Sequence, residues 1–249
     1  MDTNSNQARR VVIGITAHVD AGKTTLAEAM LYRTGRLRKL GRVDHGSAAM
    51  DSHLLERERG ITIFSSQAEL PIGDLEVTLL DTPGHVDFSA EMERTLSVLD
   101  YAILVISGAD GVQAHTRTLW RLLELYRIPT FLFVTKMDFG RCGRGQMMEH
   151  LRHELGEGCV DFTPADRERR MEQLATCRED ALEAYLDGGE VPDALVRQLV
   201  GRRLVFPCWF GSGLKLEGID EFLEGLARYV EPPAYPAAFS ARVFKISHD

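Results

Sequence analysis

A chain of 249 residues with 44% hydrophobic and 27% charged residues carries enough apolar material for a full core, as one large domain or one domain and a piece of another. A formal net charge of −8, from 29 basic and 37 acidic residues, excludes a protein that holds nucleic acid through its own bulk positive field, and sequence-specific DNA binding with it. No run approaches the roughly 18 apolar residues that a membrane span needs, and the cysteines at 142, 159, 177 and 208 lack metal-ligand spacing, so they read as free thiols in a reducing cytoplasm.

Residues 1–9 have no apolar signal core and are expected to form a disordered tail. A domain is then expected over 10–231. Its first strand begins near Val11 and runs into A-H-V-D-A-G-K-T-T at 17–25, followed by a helix over about 22–34. Successive backbone N–H groups in such a loop make an anion nest at a helix N-terminus. Asp20, Ala21, Gly22, Lys23, Thr24 and Thr25 are its candidate ligands. Lys23 reaches β- and γ-phosphates and Thr24 offers its hydroxyl to Mg²⁺. Ala17 stands where the pattern G-x-x-x-x-G-K-[ST] has its first Gly. Alone, the stretch also fits a strand–turn–helix with an incidental Gly-Lys.

Residues 35–51 lack periodicity and read as a loop. A second strand is expected from near Ile61 through Leu70, a turn at Pro71-Ile72-Gly73-Asp74, and a third strand over Leu75–Leu80, the pair forming an antiparallel hairpin. Leu80 leads into D-T-P-G-H at 81–85. A carboxylate at the end of a buried strand places Asp81 beside the phosphate loop, where it can hold Mg²⁺. Gly84, without a Cβ, lets its N–H approach a γ-phosphate. The patterns predict a helix over 86–99, a doubly covered strand over Tyr101–Ser107, a helix over His115–Arg127 and a strand over Pro129–Thr135. This alternation means an α/β P-loop fold: a doubly wound, mostly parallel sheet with helices on both faces and one site at the carboxyl ends of its strands.

Thr135-Lys136-Met137-Asp138 follows. The Asp138 carboxylate can accept hydrogen bonds from N1–H and the N2 amino group of guanine, whereas adenine has an acceptor at N1 and nothing at C2. Each charge-assisted bond is worth roughly 1.5–3 kcal/mol, which favours GTP over ATP. The stem of Lys136 would lie along the base. An ordinary surface Lys and Asp after a strand is the plainer alternative. A helix is expected over 143–158, a peripheral helical insertion over 163–200 whose Arg167, Arg169 and Arg170 form a solvated face, a last buried strand over Leu204–Phe210, Ser212 and Gly213 as backbone donors to guanine O6, and a closing helix over Ile219–Val230. Residues 232–236 read as a Pro-rich linker and 237–249 as the start of a second β domain, with a strand over Ala238–Ile246, so the chain reads as the front part of something longer.

The ordered set A-H-V-D-A-G-K-T-T, R-G-I-T-I, D-T-P-G-H, T-K-M-D and G-S-G-L-K resembles the GTP-binding domain of translational GTPases over about residues 10–246. Within that class it is similar to elongation factor G and, more so, to the tetracycline-resistance ribosomal protection proteins. G-E-G-C-V-D-F at 156–162 is close to the G-D-G-C-V-D-F of related proteins, and the insertion lacks the extra subdomain of elongation factor G. The resemblance implies that the final strand opens a β-barrel domain. It also implies that Thr62 closes over the nucleotide and binds Mg²⁺, with Gly60 and Ile61 beside it. His85 would orient the attacking water, Val19 and Ile61 would gate His85, and Asp20 would help hold a monovalent cation. On its own, a His after Pro-Gly reads more readily as a helix-start residue bonding the backbone. Two positions depart from the family pattern. Thr135 replaces an Asn that ties the base loop to the phosphate loop, which implies weaker guanine binding, and Gly213 replaces an Ala.

The expected activity is hydrolysis of GTP to GDP and phosphate, coupled to the ribosome in the cytoplasm, by a monomer with GTP or GDP and Mg²⁺ bound. Ribosomal protection from tetracycline is preferred. Translocation of the elongation factor G type and a nucleotide-switched binding module are the alternatives, and an ATP-using P-loop enzyme conflicts with Asp138.

Overall fold

The computed structural model describes residues 9–38, 66–82, 89–139, 142–163 and 167–234, and the single residues 241 and 243. Strands β1 (Arg9–Ala17), β2 (Ser66–Ile72), β3 (Leu75–Asp81), β4 (Tyr101–Ser107), β5 (Thr130–Thr135), β6 (Cys159–Asp161) and β7 (Phe206–Phe210) form one sheet in the order β2-β3-β1-β4-β5-β7-β6. Every neighbouring pair is parallel except β2 and β3, which form the expected antiparallel hairpin. The described helices are α1 (Lys23–Arg33), α2 (Ser89–Leu96), α3 (Ala114–Leu125), α4 (Arg144–Leu155), α5 (Arg167–Cys177), α6 (Glu179–Gly188), α7 (Asp193–Gly201) and α8 (Ile219–Tyr229). The fold is the expected P-loop α/β architecture.

The period-2 alternation of a strand divides the core in two. Ile13 and Ile15 of β1, Ile103 and Val105 of β4, and Phe131 and Phe133 of β5 face a layer built from α1, α8 and the helices of 167–201. Ala102, Leu104 and Ile106 of β4 and Leu132 and Val134 of β5 face the opposite layer, with Met92 of α2, Leu119 and Leu123 of α3, and Leu151 of α4. Central strands covered on both faces cannot alternate with polar residues, hence the continuous apolar runs Y-A-I-L-V-I-S and T-F-L-F-V.

Four local expectations change. The stretch 163–200 is not peripheral: Met171, Leu174, Ala181, Val196, Leu199 and Val200 are all buried in the first layer. Its charged exterior hid an apolar stripe at helical spacing. The helix expected over 143–158 stops at Leu155, and Cys159–Asp161 pairs with β7 as an edge strand. Three residues are too few for a periodic signal. Pro71 and Ile72 belong to β2, and the turn is only Gly73-Asp74, with Gly73 at φ 61°. A proline is admissible there because β2 is an edge strand. Arg9 already belongs to β1, within the stretch read as a tail. The strand expected over 238–246 lies outside the described residues apart from Ala241 and Val243.

The second strand was expected from near Ile61; its described part begins at Ser66. Parallel pairing puts the carboxyl ends of β1, β3, β4, β5 and β7 at one edge. From β1 the sheet extends one way to β3 and the other way to β4. The loop after β1 therefore sits at the point where the strand order reverses, which is where α/β sheets bind ligands.

Gly225 of α8 lies against Trp209, and a Cβ built there would stand 2.1 Å from Cζ2 and 2.8 Å from Cη2 of the indole. Trp209 cannot step aside, because its ring is packed by Phe131, Phe162 and Phe222 at centroid distances of 6.1, 5.4 and 5.3 Å. Gly225→Ala gains about 0.8–1 kcal/mol of helix propensity, and overpacking costs about 1–3 kcal/mol. We expect a net loss with a lower midpoint in thermal or urea unfolding. A midpoint that rises would show that the indole can move.

Candidate functional site

β1 ends at the buried Ala17, and the chain turns through His18-Val19-Asp20-Ala21-Gly22 into α1. The Ala21 N–H donates to the His18 carbonyl at 3.1 Å, and Asp20 takes the left-handed conformation at φ 60°. Gly22 caps α1 at φ 93°, a backbone that a side chain would strain. The amides of Lys23, Thr24 and Thr25 open the helix and have no carbonyl within it to donate to. No acidic residue stands in this first turn, so the positive end of the helix is left for an anion.

Lys23 is the first residue of α1 and only 8% exposed. Its Nζ pairs with the Asp81 carboxylate and donates to the Thr82 carbonyl at 2.6 Å. Asp81 closes β3 in register with Ile15 and is fully buried. Thr82 is fixed to β1 by two bonds to the Ile15 carbonyl, from its N–H at 3.1 Å and its hydroxyl at 2.9 Å. The sequence-expected phosphate ligand Lys23 and metal ligand Asp81 are thus in direct contact, with Thr24 half-buried one residue on.

The base end is built on the loops after β5 and β7. Thr135 is buried, and its hydroxyl donates to the Ala21 carbonyl at 2.5 Å. Lys136, left-handed at φ 56°, donates from Nζ to the Asp20 carbonyl at 2.5 Å. Both residues therefore tie the base loop to the phosphate loop. The side chain of Asp138 is 10% exposed, and its Oδ2 lies 3.1 Å from Lys215 Nζ. Ser212 is buried, exchanges backbone bonds of 3.0 Å with Glu217, and accepts at Oγ from the Lys215 N–H at 3.4 Å. A Cβ on Gly213 would stand 3.2 Å from the Thr25 carbonyl oxygen, so this loop touches the first turn of α1.

The residues present fit a nucleoside polyphosphate with Mg²⁺: an anion nest, an ammonium, a hydroxyl, a buried carboxylate and a second carboxylate at the base end. Val19 is half-buried in the loop and Asp20 exposed at its bend. Gly60, Ile61, Thr62, Gly84 and His85 lie outside the described residues.

The structure adds three residues that sequence reasoning did not assign. Lys215 holds Asp138; it lies inside the quoted G-S-G-L-K motif, whose conspicuous residues are Ser and Gly. Thr82 accepts from Lys23, and a threonine inside D-T-P-G carries no separate signal. His115, at the start of α3, packs its ring against His18 at 5.9 Å between centroids. Nothing in the local pattern relates two residues so far apart in the chain.

Residues 8–232 match the family described as the elongation factor Tu GTP binding domain. The oxytetracycline resistance protein of Streptomyces rimosus is 40% identical over 94% of this chain and 39% of its own length. The tetracycline resistance protein TetM from transposon Tn916 of Enterococcus faecalis is 36% identical over 95% of this chain and 40% of its own. The chain spans about two-fifths of the length of these relatives. A solved structure from Thermus thermophilus superposes with a TM-score of 0.80 at 28% identity, covering 90% of this chain and 41% of that one. No helix among the described residues is long and apolar enough to cross a membrane.

Thr135→Val keeps the side-chain shape and removes the donor to Ala21. A buried acceptor left without its donor costs about 1–3 kcal/mol, so affinity for a fluorescent guanine nucleotide should fall about five- to a hundredfold. Unchanged affinity would mean that Lys136 alone holds the two loops together.

Proposed function

Because the chain belongs to the elongation factor Tu GTP-binding domain family, we propose that it binds GTP with Mg²⁺ and hydrolyses it to GDP and phosphate, accelerated by the ribosome, and that the whole protein protects the ribosome from tetracycline. The observation that carries the nucleotide reading is the run of contacts from Asp81 through Lys23 and the phosphate loop to Thr135 and Lys136, with Asp138 two residues on, held by Lys215. It sets an anion nest and a base-reading carboxylate on one rigid edge. The names of the tetracycline-resistance relatives support protection over translocation.

In this reading the opening amides of α1 and Lys23 Nζ bind the β- and γ-phosphates and stabilise charge on the leaving oxygen. Thr24, Thr62 and Asp81 hold Mg²⁺, which neutralises phosphate charge when bound. Gly84 donates its N–H to the γ-phosphate. His85 orients the attacking water, and Val19 with Ile61 keeps it back until the ribosome moves it inward. No arginine finger stands among the motifs, so the intrinsic rate is low. Asp138 accepts two guanine N–H bonds while Lys215 fixes its other contact. Gly213 offers its backbone N–H to guanine O6, while the Ser212 N–H is already given to the Glu217 carbonyl. Asp20 is assigned a monovalent cation beside the phosphates. The protein works as a cytoplasmic monomer.

Two measurements test this. His85→Ala should leave GTP affinity near that of the parent and abolish most of the ribosome-stimulated rate in single-turnover hydrolysis. If the stimulated rate survives, the assigned role is wrong, and if ribosomes do not stimulate the parent either, nucleotide-switched binding is the better description. Asp138→Ala removes two charge-assisted bonds of about 1.5–3 kcal/mol each, so GTP affinity should fall at least about a hundredfold, with ATP binding unchanged. ATP that competes as well as GTP against the parent protein would overturn the guanine assignment.

A further inference from the structure

At the β6 edge of the sheet, a cavity of about 90 Å³ opens between α4 and α5. It shares no residue with the nucleotide site. Arg144 and Arg152 of α4 and Arg169 and Arg170 of α5 line it, against one carboxylate, Asp161. Four guanidinium groups, which stay protonated in proteins, thus line one recess of a chain whose net charge is −8, and Asp161 is the one carboxylate among its described lining residues. The Arg-rich stretch expected to be a solvated face is divided: Arg167 pairs outward with Glu190 at 2.5 Å, while Arg169 and Arg170 line the cavity.

Among the described residues, the contacts of Arg144, Arg152 and Arg170 use few of their donors. Arg144 Nε lies 3.0 Å from Asp161 Oδ2. Arg152 Nε donates to the Cys159 carbonyl at 3.1 Å. Arg170 donates one Nη to the Phe162 carbonyl at 3.3 Å and lies over the Phe162 ring. Each guanidinium has five N–H donors. Arg170 Nε is buried without a hydrogen-bond partner among the described residues, as is Oε1 of Gln173, which also lines the cavity. A half-turn of that amide presents two donors instead. Gly145, the second residue of α4, adds a helix-opening amide to the lining.

We propose that this cavity binds a phosphate dianion, either inorganic phosphate or the terminal phosphomonoester of a larger molecule. Like charges held together in a recess repel one another, and an anion between them removes the repulsion. A carboxylate has too few oxygens for donors arriving from two helices and an amide. A recess of about 90 Å³ accommodates a phosphoryl group. An internal RNA phosphodiester carries one charge and a ribose on either side, so it fits a recess of this size poorly.

The test uses the protein saturated with GDP and Mg²⁺, which fills the phosphate loop. Calorimetric titration with sodium phosphate should show saturable one-to-one binding that sodium chloride at matched ionic strength does not reproduce. Arg169→Gln and Arg144→Gln should each weaken it about five- to tenfold, the loss of one charge-assisted contact, with GDP affinity and circular dichroism unchanged. Binding that neither substitution alters, or a response shared with chloride, would overturn the proposal. Short single-stranded RNA with a 5′-phosphate separates the two sources. If it binds more tightly than inorganic phosphate and its 5′-hydroxyl counterpart does not, the ligand is the end of a larger molecule. If neither RNA surpasses phosphate, the ligand is the free anion. If both surpass it equally, the site reads an RNA backbone and the monoester assignment fails.

Discussion

The pair between Lys23 and Asp81 joins the head of α1 to the end of β3, with both side chains nearly removed from water. Desolvating two charges costs several kcal/mol each, and attraction offsets that only when further hydrogen bonds complete the arrangement. The Thr82 carbonyl supplies one, and Thr82 is itself bonded twice to Ile15 on the neighbouring strand. Two apolar residues of similar volume would hold the strands and helix together as well or better. The charges at this point of the core are therefore better explained by the proposed chemistry than by stability: an ammonium for phosphate oxygens and a carboxylate for a hard cation.

That pair can serve one ligand only because the sheet is parallel around it. A parallel strand must return over the sheet before it pairs again, so each strand leaves from the same edge. β1, β3, β5 and β7 deliver the phosphate loop, Asp81, Thr135 to Asp138, and Ser212 with Gly213 to that edge. The two apolar layers hold the strand ends with packing that does not bend. Core side chains such as Phe133 and Leu132, on opposite faces of β5, are both fully buried. A site spread over four loops thereby inherits the rigidity of the sheet.

Much of this was legible because the determining signals are local. Continuous apolar runs mark doubly covered strands, and Gly-Lys-Thr after one of them marks an anion nest. Other features are not local. Cys159–Asp161 becomes a strand only because β7 offers it an edge, and three residues carry no period of their own. The helices of 167–201 looked peripheral because their charged residues mask the apolar ones that reach the core. The partner of Asp138 was hidden for a different reason: Lys215 lies on a distant loop, and the chain alone does not say which cation will find a carboxylate.

The two departures from the family pattern illustrate how the structure reads a substitution. Thr135 was expected to weaken the tie between base loop and phosphate loop, since a hydroxyl has one proton to give. That proton goes to Ala21, and Lys136 bonds the adjacent Asp20 carbonyl, so two side chains make the join between them. Glycine at 22 is demanded by its φ of 93° rather than by space, since a Cβ there would stand an ordinary 3.4 Å from the Thr135 hydroxyl. Gly213 in turn lies against the backbone of Thr25, where an added Cβ would meet oxygen at 3.2 Å and the Leu26 nitrogen at 3.3 Å. An alanine there would need the last loop or the first turn of α1 to shift by only a few tenths of an ångström. Base loop, phosphate loop and last loop thus meet at the backbone of the phosphate loop and of α1. In the proposed nucleotide reading, a displacement of the base loop is therefore felt at the opening amides of α1, and the two ends of the site are mechanically joined.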